Sequence, residues 1–245
     1  MMGIVGSGCV FNNLIDRDID GRMTRTCDRV LVKGLISPPV ARYYAVFLGL
    51  IGFLILYFAT NFLTVLLAFL GWFVYVVVYS LGFKRRSIWA TTVGAISGAV
   101  PPVMGYTAVS HRLDLSVLLL FLILFFWQMP HFYAIAIYRL KDYQSAEIPV
   151  LPAKRSLLRT KIEMMLYVLA YFISTLLLVA VSPLGNLYFS VAIILGSLWI
   201  SITARGFLLK NTNDPESFTR HSAWARQVFL FSLIEITLLS VSMAF

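Results

Sequence analysis

Asn12-Asn13-Leu14-Ile15-Asp16-Arg17-Asp18-Ile19-Asp20 closes an apolar run and is followed by Arg22, Arg25, Arg29 and Lys33. On a helix Asn12, Asp16 and Asp20 recur every fourth residue and fall on nearly one face, with about 6 Å of rise between neighbours. Carboxylates at that spacing repel by about a few tenths of a kcal/mol in water and by more near lipid, so a cation is expected among them. Hard oxygen donors of this kind suit Mg²⁺, which keeps several waters and completes its shell with substrate phosphates. The basic residues downstream are placed to hold the rest of a diphosphate. A single Asp here would read as part of a solvated loop beside a membrane; three oxygen-bearing side chains at this period read as a site.

The chain around this stretch is far more apolar than a soluble domain requires. Of its 245 residues 60% are hydrophobic and 13% charged, and the mean hydropathy is +0.85, which points to an integral membrane protein. The net charge of +9 is then better explained by Lys and Arg on cytoplasmic loops than by nucleic acid. Cys9 and Cys27 form neither a disulfide framework nor a metal-type spacing. Met1 to Val10 has no basic leader region and runs straight into the acidic motif, so it reads as the second half of a helix whose beginning is missing.

Apolar windows of about 20 residues, the length that spans a bilayer, are expected near 41–60, 63–82, 89–109, 115–137, 163–182, 187–208 and 227–245. They amount to seven full spans plus the initial half. The fold class is all-α: lipid-exposed backbone must satisfy its own hydrogen bonds, and no alternating barrel pattern appears. Of the 20 Lys and Arg, all but Arg112 fall on the side of the Asp motif, which the positive-inside rule makes cytoplasmic. Gly94, Gly98, Pro101, Pro102 and Gly105 interrupt the 89–109 window, allowing close helix approach and a kink.

Ionisable groups gather again around Trp127-Gln128-Met129-Pro130-His131 and the following Tyr138-Arg139-Leu140-Lys141-Asp142-Tyr143-Gln144. A membrane histidine is functional when it faces the interior, and neutral imidazole is a haem iron ligand. The bases Lys154, Arg155, Arg159 and Lys161 read as contacts with anionic headgroups. A polar loop is expected from Lys210 to Arg226, with Asn211, Asn213 and Asp214. The last span carries an acid, Glu235, that nothing in the sequence explains.

Taken together, these residues resemble the protoheme IX farnesyltransferases, or haem O synthases, of the UbiA-type superfamily of intramembrane prenyltransferases. Asn12-x-x-x-Asp16-x-x-x-Asp20 is similar to the first Asp-rich motif of the superfamily. Asp28 to Pro38, Trp127 to His131 and Tyr138 to Pro152 resemble the haem branch. The resemblance implies an Mg²⁺-dependent transfer of farnesyl from farnesyl diphosphate to a vinyl group of haem b, giving haem O and diphosphate. It further implies a multi-pass protein of the bacterial inner membrane, with haem A synthase or a terminal oxidase as the partner that receives the product. Nine helices are expected of the family, so the single domain over residues 1–245 is expected to lack the first helix and the front of the second. The usual second motif, D-x-x-x-D, is incomplete: the fourth position after Asp142 is Ala146, with Glu147 next to it as a substitute.

On this resemblance Asp16, Asp20 and Asp142 are the metal ligands, with Asn12 orienting the ion. Arg25, Arg29, Lys33 and Lys141 hold the diphosphate by charge-assisted hydrogen bonds, and His131 with Trp127 contacts haem. An apolar groove is expected to shield the allylic cation from water. The rival within the fold, prenylation of a quinone-type aromatic acid, normally carries the full second motif. A transporter would explain intramembrane prolines and charges, but not acids spaced for Mg²⁺ sharing a loop with four bases, and no inverted repeat is visible.

Overall fold

The computed structural model describes residues 1–210 and 215–244. In chain order the helices are α1 Met2–Ile15, α2 Arg17–Asp20, α3 Pro38–Ala59, α4 Phe62–Phe73 continuing as a π-helical segment Val74–Phe83, α5 Ala90–Gly98, α6 Val100–Ser110, α7 Leu115–Tyr138, α8 Leu140–Ser145, α9 Leu151–Lys154, α10 Leu157–Val181, α11 Asn186–Leu208 and α12 Pro215–Ser242. No strand occurs among the described residues. Six helices are long and apolar enough to cross a membrane, and α1 is a shorter apolar helix. The 89–109 window is built as α5 and α6 with the break at Ala99, where Pro101 and Pro102 withhold two backbone donors. The last span begins already at Pro215, so most of the loop expected from Lys210 to Arg226 is helical. Residues 211–214 of that loop, with Asn211, Asn213 and Asp214, lie outside the described residues.

Local signals set the helix starts. Pro38 and Pro39 open α3, where a missing N–H costs nothing. Asn61, Asp114 and Ser156 accept from the backbone N–H three residues on and cap α4, α7 and α10.

The chain divides into two compact units. The first contains Met1–Leu113 with Lys141–Val150. Its α1 packs on α3 through small residues: a Cβ on Gly52 would stand 2.8 Å from the backbone nitrogen of Ile4, and one on Gly49 would stand 2.9 Å from Ser7 Oγ. Backbones that close leave no room for a methyl group. Gly52→Ala is therefore expected to push α1 off α3 and cost about 1–3 kcal/mol, the usual range for overpacking. The check is a lowered thermal midpoint in detergent relative to a mild substitution on the exposed face of α3, such as Leu54→Ala.

The second unit, Asp114–Leu140 with the helices from Leu151 on, is a four-helix bundle in which α10 and α12 each lie against both α7 and α11. Its core includes Ile123, Met129, Met164, Val168, Trp199 and Leu239. Glu235 is fully buried there; it accepts a hydrogen bond from Tyr171, on whose ring Trp199 stands edge-on at 5.2 Å. The expectation that Lys161 meets headgroups is overturned. Lys161 is 1% exposed, with Nζ 3.0 Å from His221 Nε2 and 3.5 Å from the carbonyl of Leu209, the residue that ends α11. Its stem fills the bundle while its ammonium satisfies a carbonyl left over at a helix end.

Candidate active site

The acids of the first unit are set by a register between two helices. Asn12 Nδ2 donates to Ser80 Oγ at 3.0 Å, and one turn later Asp16 meets Lys84, the same sequence offset separating both pairs. A constant offset means that α1 and the π segment run parallel. Toward the start of α1, Trp72 Nε1 donates to Ser7 Oγ at 3.2 Å. Lys84 N–H bonds to the carbonyl of Tyr79, five residues back, at 2.9 Å. Such widened turns recur at functional sites, and here the wide turn ends on the cation that faces Asp16.

Asp16 ends α1 and opens α2, yet Asp20 N–H still reaches Asp16 C=O at 2.8 Å, so the period of four survives the junction. Asp16 is fully buried and Asp20 is 4% exposed. The cations expected among the acids are there: Lys84 on Asp16, and Arg29 at 2.5 Å from Asp20 and 2.9 Å from Asn13 Oδ1. Burial holds the Asp16 carboxyl above its ordinary range, against the pull of Lys84. Its second oxygen, Oδ1, is buried without a hydrogen-bond partner, with Arg85 Nη2 3.9 Å away. Asp18, by contrast, is exposed at the surface. It takes a two-pronged pair with Arg85 at 2.6 and 2.7 Å, and these bonds hold its carboxyl below the ordinary range.

The segment following the acids is tied to Lys141–Val150. Thr24 Oγ1 donates to Asp142 Oδ1 at 2.5 Å, Arg25 Nη2 donates to Tyr143 Oη at 3.3 Å with its guanidinium 5.2 Å from that ring, and Ser145 Oγ lies 2.9 Å from Asp142 C=O and 3.1 Å from Arg22 C=O, either of which can take its one proton. Of the residues assigned from the sequence, Asn12, Asp16, Asp20 and Arg29 thus share one cluster, while Asp142 and Arg25 meet through the Thr24 loop. Lys33 is engaged by Asp28 at 2.6 Å on an exposed stretch, and Lys141 is exposed. Glu147 is exposed in a left-handed backbone conformation, while Ala146 is buried. His131 and Trp127 lie in the second unit, their rings stacked at 4.8 Å.

The sequence reading missed Lys84, Arg85, Ser80 and Thr24. A run of three bases, Lys84-Arg85-Arg86, directly after a span and on the motif side was the available signal. Beside the cluster, a cavity of about 650 Å³ is lined by the apolar Phe11, Leu14 and Leu81 together with Arg17, Arg42 and Arg85, a lining suited to an amphiphile with an anionic head.

Among the described residues no three His, Cys, Asp or Glu side chains gather closely enough to cage a metal. The donors suit an ion that asks for less. Mg²⁺ is commonly held by one or two carboxylates and otherwise by water and phosphate. The partnerless oxygen of Asp16, one turn from Asp20, meets that requirement.

Comparisons with known proteins bear on the family and the fold. The chain is 51% identical over 241 residues to "Protoheme IX farnesyltransferase" of Yersinia pseudotuberculosis serotype O:1b (strain IP 31758), covering 98% of this chain and 79% of that protein. Its fold matches a structure of digeranylgeranylglyceryl phosphate synthase with a TM-score of 0.75 at 17% identity, over 99% of this chain and 83% of the other. It also matches a UbiA homolog from Archaeoglobus fulgidus bound to GPP and Mg²⁺ with a TM-score of 0.63 at 15% identity, over 96% and 84%. The model of the UbiA prenyltransferase family spans residues 1–233, from the start of the helix that presents Asn12 and Asp16 to well into the last one, and the chain belongs to that family.

Proposed function

We propose that this chain transfers a farnesyl group from farnesyl diphosphate to a vinyl group of haem b, giving haem O and diphosphate. The observation that carries this reading is the 51% identity to a protoheme IX farnesyltransferase along 98% of the chain. The buried acid and base cluster of the first unit supports it, because breaking an allylic C–O bond leaves the electron pair on diphosphate, and catalysis consists largely of stabilising that charge.

In this reading Asp16 and Asp20 hold Mg²⁺ and Asn12 orients the first turn of the site through Ser80. Asp142, held by Thr24, contributes the carboxylate of the incomplete second motif. When bound, the ion supplies Lewis acidity to the departing diphosphate. Arg25, Arg29 and Lys84 supply charge-assisted donors to the diphosphate oxygens, with Lys33 and Lys141 farther along the same loops. An apolar wall shields the allylic carbon from water until the vinyl π electrons form the new C–C bond; the cation this leaves on the other vinyl carbon, beside the porphyrin, is then quenched by a water molecule, which adds as hydroxyl and gives up a proton. His131 and Trp127 contact the porphyrin. A likeness to the A. fulgidus homolog, solved with GPP and Mg²⁺, supports the ion and a prenyl diphosphate as ligands.

The side of the membrane belongs to the same proposal. All Lys and Arg but Arg112 are allocated to the motif side, which places the acid cluster at the cytoplasmic face of the bacterial inner membrane. Its product, an iron porphyrin with a prenyl tail, partitions into that membrane, so a haem A synthase or a terminal oxidase in the same bilayer is the expected recipient.

The test is haem extracted from membranes that lack haem O, before and after this chain is supplied, and separated by mass. A farnesylated porphyrin is expected. Unchanged haem b, in membranes where the chain is present and farnesyl diphosphate is consumed, would overturn the reading in favour of another acceptor.

A further inference from the structure

His131 stands on α7 at 8% exposure, among Trp127, Phe132 and Phe229 with ring centroids at 4.8, 5.3 and 4.8 Å. Both polar anchors of this group lead to one residue of α12. Trp127 Nε1 donates to the backbone carbonyl of Ser232 at 2.8 Å, and His131 Nδ1 lies 2.8 Å from Ser232 Oγ. Ser232 is itself fully buried, and its hydroxyl lies 2.6 Å from the carbonyl of Phe229.

That last distance decides the direction of the others. A hydroxyl has one proton to donate. A carbonyl oxygen can only accept, so at 2.6 Å the proton must lie between Ser232 Oγ and Phe229 O; otherwise two sets of lone pairs would be pressed together. Ser232 Oγ is then an acceptor toward the ring, and Nδ1 carries a hydrogen. In a neutral imidazole this leaves the lone pair on Nε2. Nε2 has no hydrogen-bond partner among the described residues, and it is not one of the buried, partnerless polar atoms, so the lone pair is not sealed inside the bundle.

We infer that Ser232 is a positioning residue that fixes His131 as the Nδ1–H tautomer, so that Nε2 serves as the protein ligand to the iron of the porphyrin substrate. The inference rests on the haem reading above and deepens it. An imidazole that ligates a metal almost always donates its other N–H to an acceptor, which fixes the tautomer and the ring plane. Ser232 provides that acceptor, and Trp127 holds both sides of the arrangement by stacking on the ring and bonding to the Ser232 backbone. The flat aromatic surfaces around the ring suit a porphyrin face.

The experiment titrates the full chain in detergent with ferric haem b and reads the absorption and magnetic circular dichroism of the bound iron, alongside steady-state kinetics with both substrates. His131→Gly is expected to lose the imidazole-ligand signature and to regain it when free imidazole is added. Ser232→Ala is expected to weaken haem binding by about 10–100-fold, the usual effect of removing such an acceptor, and to raise KM for haem far more than that for farnesyl diphosphate. Ser232→Thr, which keeps the hydroxyl, is expected to restore most of both. An unchanged KM for farnesyl diphosphate shows that the variants fold. An imidazole signature that persists in His131→Gly, or a Ser232→Ala protein that binds haem as the wild type does, would overturn the inference while leaving the farnesyl transfer reading in place. A wild-type chain that makes no farnesylated porphyrin would overturn that reading instead.

Discussion

Asp16→Asn and Asp20→Asn are each expected to leave the chain inserted in the membrane and to lower kcat by about 10²–10³-fold or more, the range seen when one preorganised group facing developing charge is removed. Asparagine keeps the shape and one carbonyl oxygen but removes the charge. The charge matters because both side chains are almost completely buried and their cationic neighbours are already in place. Asp18→Asn provides the contrast. Asp18 lies on the same short helix, but its side chain is 60% exposed and paired with Arg85 at the surface, so a change of less than about tenfold is expected, in keeping with the small worth of exposed ion pairs. Turnover is measured at saturating Mg²⁺ and matched membrane levels. Near-normal turnover of both Asp16→Asn and Asp20→Asn would remove the motif from the metal site.

The difference between Asp16 and Asp18 was readable from the sequence, since a period of four places Asn12, Asp16 and Asp20 on one face and leaves Asp18 off it. The need for cations among the acids followed from Coulomb repulsion alone. Which cations answer it did not. Arg29 lies nine residues from Asp20 and Lys84 lies 68 from Asp16, and nothing local links either pair. The second contact depends on α1 and the π segment lying parallel in one register, a tertiary fact, and on a wide turn that no residue type announces. Lys33 shows the converse. It follows the motif closely in sequence, yet a nearer acid, Asp28, engages it.

The spans were legible because length and apolarity are additive properties of a window. Their ends were less so. Lys161 read as a headgroup contact because it stands in a basic run, but helix phase turns it inward, to the end of α11. Glu235 had no sequence explanation because its partner, Tyr171, lies on α10, far away in the chain. Buried polar groups find their partners through packing, and packing is what a single sequence states least directly.

Lys84→Met is expected to lower kcat/KM for farnesyl diphosphate by about 100-fold, roughly 2.7 kcal/mol at 1.36 kcal/mol per decade, while KM for haem stays near its wild-type value. The side chain of Lys84 is only 18% exposed and its ammonium lies on Asp16, 5.5 Å from the Tyr79 ring centroid. Once Asp16 is engaged by a divalent cation, the ammonium is free to turn its three donors to a phosphate oxygen, where a desolvated charge counts for more than at the surface. Two further variants separate this role from simple neutralisation of Asp16. Lys84→Arg keeps the charge and is expected to recover a large part of the loss. If Lys84 only offset the Asp16 carboxylate, the double variant Lys84→Met with Asp16→Asn would behave as Asp16→Asn alone, because the charge to be offset would be gone. A loss in the double variant clearly beyond that of Asp16→Asn is expected, since the diphosphate would have lost a donor as well as a metal ligand. Wild-type kcat and KM in Lys84→Met would mean that Lys84 stabilises the ligand-free chain and takes no part in binding diphosphate.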